Sequence, residues 1–93
     1  MIIDGAFVPK LARKARLKLD RHTNKTMILY PERGLELNDA AAAIAQKLDG
    51  RRSIGVIVAE LVAEHAGAPP EAVAKDVVAF VTLLHGKGLL ERP

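Results

Sequence analysis

Ser53 is the only serine among the 93 residues, so any serine nucleophile would have to be this one. It stands directly before a run with helical apolar spacing, where the ordinary preference of serine for a helix cap accounts for it. His22, His65 and His85 fall on three different predicted elements. None lies four residues from another, the spacing with which a helix brings two imidazoles to one metal. Glu60 and Glu64 do have that spacing, but two carboxylates alone on a helix read as a solvated face. The chain has no cysteine, which removes disulfides, thiolate metal sites and cysteine nucleophiles together. The run GKGLL, Gly86 to Leu90, lacks the GxxxxGK[ST] frame and any following helix, so it closes a helix and does not cradle phosphate. An acid-base group of Glu32, Glu36 and His22 has no spacing to support it. No catalytic residue, metal site or cofactor is expected.

The elements that must position any other site follow from length and pattern. Ninety-three residues support one small core. About half of them are apolar, yet there is no tryptophan, two phenylalanines and one tyrosine, so that core has to be aliphatic. The opening MIIDGAFVPK carries Asp4 and lacks a basic n-region and a long apolar stretch, which argues against a signal peptide. No apolar run approaches a membrane span. The cytoplasm is the expected compartment.

Residues 1–15 show no convincing period and read as an extended N-terminal arm, leaving 16–93 as a single domain. From Arg16, Leu17 and Leu19 alternate with Lys18 and Asp20, as in a strand with one wet face. After a break at His22 to Lys25, the β-prone run Thr26 to Tyr30 predicts a central strand covered on both faces. Pro31 ends it. Pro31 and Gly34 suit a hairpin with a type I turn and a glycine bulge, and Leu35 and Leu37 alternate in a third short strand.

The period then changes. Asn38 or Asp39 can cap a helix with Ala41, Ile44 and Leu48 on its apolar face and Gly50 at its close. Ser53 caps a second helix, with Ile54, Ile57, Val58, Leu61 and Val62 on one face. Pro69 and Pro70 suit the first turn of a third, whose stripe is Val73, Val77, Phe80, Val81 and Leu84. The expected class is α+β, a three-stranded antiparallel sheet followed by three helices.

Two binding readings compete on this scaffold. Lys10, Arg13, Lys14, Arg16, Lys18, Arg21 and Lys25 stand against Asp20 alone, a basic segment on a body that is mildly acidic, since the whole chain is only +3. Joined to a helix-turn-helix pair, this admits a basic winged-helix nucleic-acid-binding protein. The third helix, however, offers bases only Lys75, with Glu71 and Asp76 beside it. The other reading starts from width. Ala74, Val78, Ala79 and Leu83 broaden the apolar stripe of the third helix beyond what one small core needs. A groove beside a sheet edge takes an extended peptide as an added strand, and the strand Leu35 to Leu37 is a candidate edge.

The combination of RLKLD (Arg16 to Asp20), LYPERGLELN (Leu29 to Asn38), LDGRRSI (Leu48 to Ile54) and GLL (Gly88 to Leu90) resembles the PqqD family of pyrroloquinoline quinone biosynthesis. The resemblance covers nearly the whole chain from Pro9 onward. It implies a winged-helix-like fold and a non-enzymatic peptide chaperone, a RiPP recognition element that holds a precursor peptide and presents it to a radical SAM enzyme. That enzyme crosslinks a glutamate and a tyrosine of the peptide. Carried over, Arg33, Leu35, Glu36 and Leu37 form the peptide-binding edge, with Val73, Val77, Phe80 or their flank as the floor. The first eight residues have no clear counterpart in the motif. Ile2, Ile3, Phe7 and Val8 could fold back or exchange with a second copy, which makes a homodimer through the arm an expectation.

Overall fold

The alternating stretches form a three-stranded antiparallel meander in the computed structural model, which describes residues 3–31 and 33–91. Strand β1 runs over Arg16–Asp20, β2 over Lys25–Tyr30 and β3 over Arg33–Leu37, in the spatial order β1-β2-β3. Asn24, with φ 58°, turns the chain between β1 and β2, in the left-handed region that asparagine tolerates better than most residues. Asp20 Oδ1 accepts the His22 N–H at 2.9 Å in the same turn, so His22 is an exposed turn residue.

Residues directly opposite across two strands share a face of the sheet. Leu17, Ile28 and Leu35 stand opposite one another in turn, and Ile28 is fully buried. Theirs is the inner face. Met27, Leu29, Gly34 and Glu36 belong to the outer one. The sequence predicts β2 to be covered on both faces; instead the helices pack on one face, and Met27 and Leu29 stay half-buried on the other. A Cβ on Gly34 would lie 2.9 Å from Met27 Cε and 3.3 Å from Leu29 Cδ2. Without a side chain at Gly34, the ends of these two side chains lie over the strand; any larger residue would have to push them aside. The expected glycine bulge is not formed: Tyr30 pairs with Arg33 across a two-residue turn, and Gly34 is not among the positive-φ glycines, Gly50, Gly67 and Gly88. β3 therefore begins at Arg33, two residues before the alternation of Leu35 and Leu37 becomes visible.

Three helices follow, α1 over Asp39–Ala45, α2 over Ile54–Glu64 and α3 over Pro70–Gly86. Asn38 caps α1, its Oδ1 accepting the Ala41 N–H at 2.8 Å. Ser53 caps α2, its Oγ accepting the Val56 N–H at 3.2 Å. Pro70 opens α3, where a missing N–H costs no intrahelical bond. α1 stops at Ala45, so Leu48 is buried from the following loop and not from the helix.

The core is aliphatic apart from Phe80. Ile28, Ile57, Val77, Val81, Leu84 and Leu89 are its centre, each stabilising the fold by about 1.5–3 kcal/mol through removal of apolar surface from water. The N-terminal arm lies against this body. Pro9 is fully buried, and its carbonyl accepts the Gly50 N–H at 3.1 Å. Leu11 N–H donates to Leu48, Ala12 N–H to Leu89, and Glu91 N–H to Lys10. The arm also completes α2. Of the N–H groups that a helix start leaves without intrahelical partners, Ile54 donates to the Phe7 carbonyl at 2.8 Å and Gly55 to that of Gly5 at 3.0 Å.

Candidate functional site

Most of the residues weighed for catalysis have plain structural roles. Ser53 is a cap. Glu60 and Glu64 face Lys47, whose Nζ lies 3.0 Å from Glu60 Oε1 and 2.8 Å from Glu64 Oε2, and Arg52 Nε reaches the same Glu60 oxygen at 3.1 Å. The Lys47 side chain is 13% exposed, so the two carboxylates clamp the tip of a lysine whose stem is largely covered. The Glu64 bond, then that of Glu60, raises its pKa. The Lys47 ammonium in turn lowers that of Glu64. Asp49, whose carboxylate accepts the Arg51 N–H at 2.9 Å and lies near the Arg52 guanidinium, is likewise lowered, the Arg51 bond being the larger cause. Among the described residues no cluster of histidines and carboxylates could hold a metal. Glu32, part of the acid-base group considered from the sequence, lies outside the described residues.

The edge of the sheet has a definite hydrogen-bonding phase. A pair that brackets a two-residue turn closes by exchanging both of its backbone bonds, and Tyr30–Arg33 is that pair. Counting in twos, Ile28–Leu35 and Thr26–Leu37 do the same. Arg33, Leu35 and Leu37 therefore direct their N–H and C=O groups to β2. Those of Gly34 and Glu36 point to the open side.

Side chains divide the same way. Leu37 is buried and Leu35 half-buried on the inner face, while Arg33 and Glu36 are exposed. Lys25 Nζ donates to Glu36 Oε1 at 2.7 Å, which draws the carboxylate across the outer face toward β2. That bond, and then simple attraction, holds the Lys25 pKa above the ordinary lysine value.

Two recesses flank α1. One, of about 320 Å³, starts at Asn38, just past the end of β3, and runs between Ala41 of α1 and Ala79, Phe80 and Leu83 of α3. The other, of about 310 Å³, lies between α1, α2 and α3 and is floored by Ala43, Leu61, Ala68 and Val73. Ala40, Ile44 and Asp76 line both. Phe80 thus borders the first recess and Val73 the second, whereas Val77 is fully buried and belongs to the core. Beside Phe80 of the stripe, Ala79 and Leu83 of the flank line the first recess. Leu83, 47% exposed, is the exposed large apolar side chain of α3 among the described residues. Ala40, Ala43 and Ala68 escape a sequence reading because alanine carries no chemical signal; the run of four alanines in α1 is the one trace of a helix surface kept low.

No helix among the described residues is long and apolar enough to cross a membrane.

Residues 25–90 match the family model described as Coenzyme PQQ synthesis protein D (PqqD). The PqqA binding protein of Rhizobium meliloti (strain 1021) is 43% identical over 90 residues, covering 97% of this chain and 91% of the relative. Among solved structures, the PqqD truncation of Methylobacterium extorquens PqqCD, described as a functional and stand-alone RiPP recognition element, matches with a TM-score of 0.83. It is 34% identical, and the match covers 98% of this chain and 96% of that one. TbiB1, solved with the TbiA(beta) leader peptide, matches at a TM-score of 0.74 over 90% of this chain and 96% of its own. At 20% identity that likeness concerns the winged-helix-like fold alone.

Proposed function

The chain belongs to the PqqD family, and from that premise we propose that it is a peptide chaperone of pyrroloquinoline quinone biosynthesis. It binds the precursor peptide by strand addition at β3 and presents it, in the cytoplasm, to a radical SAM enzyme, with no chemistry of its own. The observation that carries this reading is the open edge of β3, where Gly34 and Glu36 turn four backbone groups outward beside an apolar recess. The relative from Rhizobium meliloti bears the name of a PqqA binding protein, and the Methylobacterium extorquens domain is described as a recognition element; both support it.

Energetics set what the edge alone can do. Four hydrogen bonds at a net ~0.5–1.5 kcal/mol each give several kcal/mol at most, and ordering a flexible peptide consumes part of that. Micromolar affinity, about −8 kcal/mol, needs apolar side chains in the recesses as well. A titration with the precursor peptide followed by amide shifts tests the reading. Shifts at Arg33 to Leu37 and along the Ala79–Leu83 flank of α3 are expected; shifts confined to Lys10 to Lys25 overturn it.

No observation favours the nucleic-acid alternative. Lys10 lies 3.3 Å from Glu91 and Lys25 is paired with Glu36, so part of the basic segment is neutralised within the chain. Homodimerisation through the arm is a second part of the proposal. Exchange of the arm between copies would reproduce in trans the bonds that Phe7, Pro9 and Leu11 make here in cis. Ile2, one of the residues behind that expectation, lies outside the described residues. An unchanged mass in solution after deletion of residues 1–8 counts against it.

A further inference from the structure

We propose that the recess between α1, α2 and α3 is a second anchoring subsite, which takes one bulky apolar side chain of the precursor peptide that has a lysine or arginine next to it. This rests on the strand-addition reading, and concerns a part of the peptide outside the stretch paired with β3. Three observations carry it.

The first is volume and lining. About 310 Å³ is at the low end of ligand pockets, roughly 300–1,000 Å³, which suits a single leucine-, methionine- or phenylalanine-sized group and not a folded partner. Its floor of Ala43, Leu61, Ala68 and Val73 is apolar.

The second is charge. Asp39 and Asp76 line the recess and are exposed, so their carboxylates stand at its rim. Among the described residues neither takes part in an ion pair, although five other acidic residues do. A cation beside the buried side chain would meet both. His65 is the remaining polar lining residue.

The third is continuity. Ala40, Ile44 and Asp76 line this recess and also the one that begins at Asn38. A chain leaving the β3 edge at Leu37 would pass Asn38 into the first recess and reach the second across the lining the two share, Ala40, Ile44 and Asp76.

The test uses the full chain and the precursor peptide as probe. In the wild-type protein the methyl groups of Ala43 and Ala68 should shift on titration, and unmoved methyls at saturation overturn the proposal. Ala43→Leu fills the recess without touching β3. It should weaken the peptide roughly tenfold, the order expected when one large apolar side chain loses its burial, with the Arg33 to Leu37 shifts retained. Equal affinity in this variant overturns the subsite and leaves strand addition standing. Absent shifts at β3 together with shifted Ala43 and Ala68 methyls would overturn strand addition and leave the subsite standing. Asp39→Asn with Asp76→Asn should also weaken binding and flatten its salt dependence; an unchanged salt dependence overturns the cationic neighbour.

Discussion

The Phe7 carbonyl accepts the backbone N–H of Ile54 at 2.8 Å, so a segment without any visible period closes the start of a helix more than forty residues away. Ser53 could satisfy only one of the orphan donors of α2 with its side chain. Two others are met by the arm.

Deleting residues 1–8 should therefore destabilise the domain. Two backbone bonds at about 1 kcal/mol each, together with the half-buried Phe7 and Ile3, amount to ~2–4 kcal/mol. For a domain of this size that lowers Tm by roughly 10–25 °C. A truncated protein melting with the full chain would show that the arm's contacts carry no weight.

Proline scanning of β3 should separate folding from binding by parity. Leu35→Pro removes an N–H directed to β2 and should unfold the hairpin. Glu36→Pro removes one directed to the open side, the place where an edge strand tolerates proline. It should keep the fold by circular dichroism and bind the precursor peptide about tenfold more weakly. The reverse pattern would mean that the phase of the strand is shifted by one.

A pair of substitutions on α3 should divide core from groove. Val77→Ala empties fully buried space and should cost about 1–3 kcal/mol with little change in peptide affinity of the folded fraction. Leu83→Ser should change stability by under about 0.5 kcal/mol yet weaken the peptide several-fold. Urea unfolding and a peptide titration on each variant decide the matter.

The Lys47 clamp predicts the pH profile. Glu64 and Asp49 have lowered pKa values, so their contributions are fully present above the unfolded carboxylate range, about 4, and are lost as pH falls through the lowered values. Lys47 is raised; its contribution is complete below about 10.4 and fades as pH rises through the folded value. Tm should fall below about pH 4 and again in strong alkali. Lys47→Met should make both limbs shallower, leaving on the acid side the share of Asp49, which its Arg51 bond lowers, and on the alkaline side that of Lys25, which Glu36 raises; limbs of unchanged steepness would assign them wholly to other groups.

Much of this architecture is legible in the sequence because local chemistry dictates it. Asn38 or Asp39 is read as the cap of the first helix, and Asn38 caps it; Ser53 is read as a cap and caps α2. Pro69 and Pro70 are read as first-turn residues; Pro70 opens α3 and Pro69 stands just before it as the N-cap. The missed features are those that depend on what lies across space. Gly34 has the composition of a turn residue, yet it pairs with Leu29 inside β3 under the side chains of Met27 and Leu29. Glu60 and Glu64 look solvated until Lys47 arrives from another loop. For the site, β3 is visible as an edge, but which of its residues face outward follows from a register that no alternation of leucines encodes. The alanine-lined recesses are absences of side chain, and composition cannot express an absence at a particular place.

The parity of β3 has a consequence for selectivity. Its odd positions hold the hairpin together and its even positions offer main-chain groups, with the Glu36 carboxylate drawn across the outer face by Lys25, so pairing along the edge reads few of the letters of whatever lies there. On the proposed reading, discrimination among peptides falls to the hollows around α1, one of which begins at Asn38, where the strand ends. Transplanting Ala40, Ala43, Ala68 and Asp76 into another domain of this shape, with its sheet untouched, should hand over the peptide preference and leave the grip as it was.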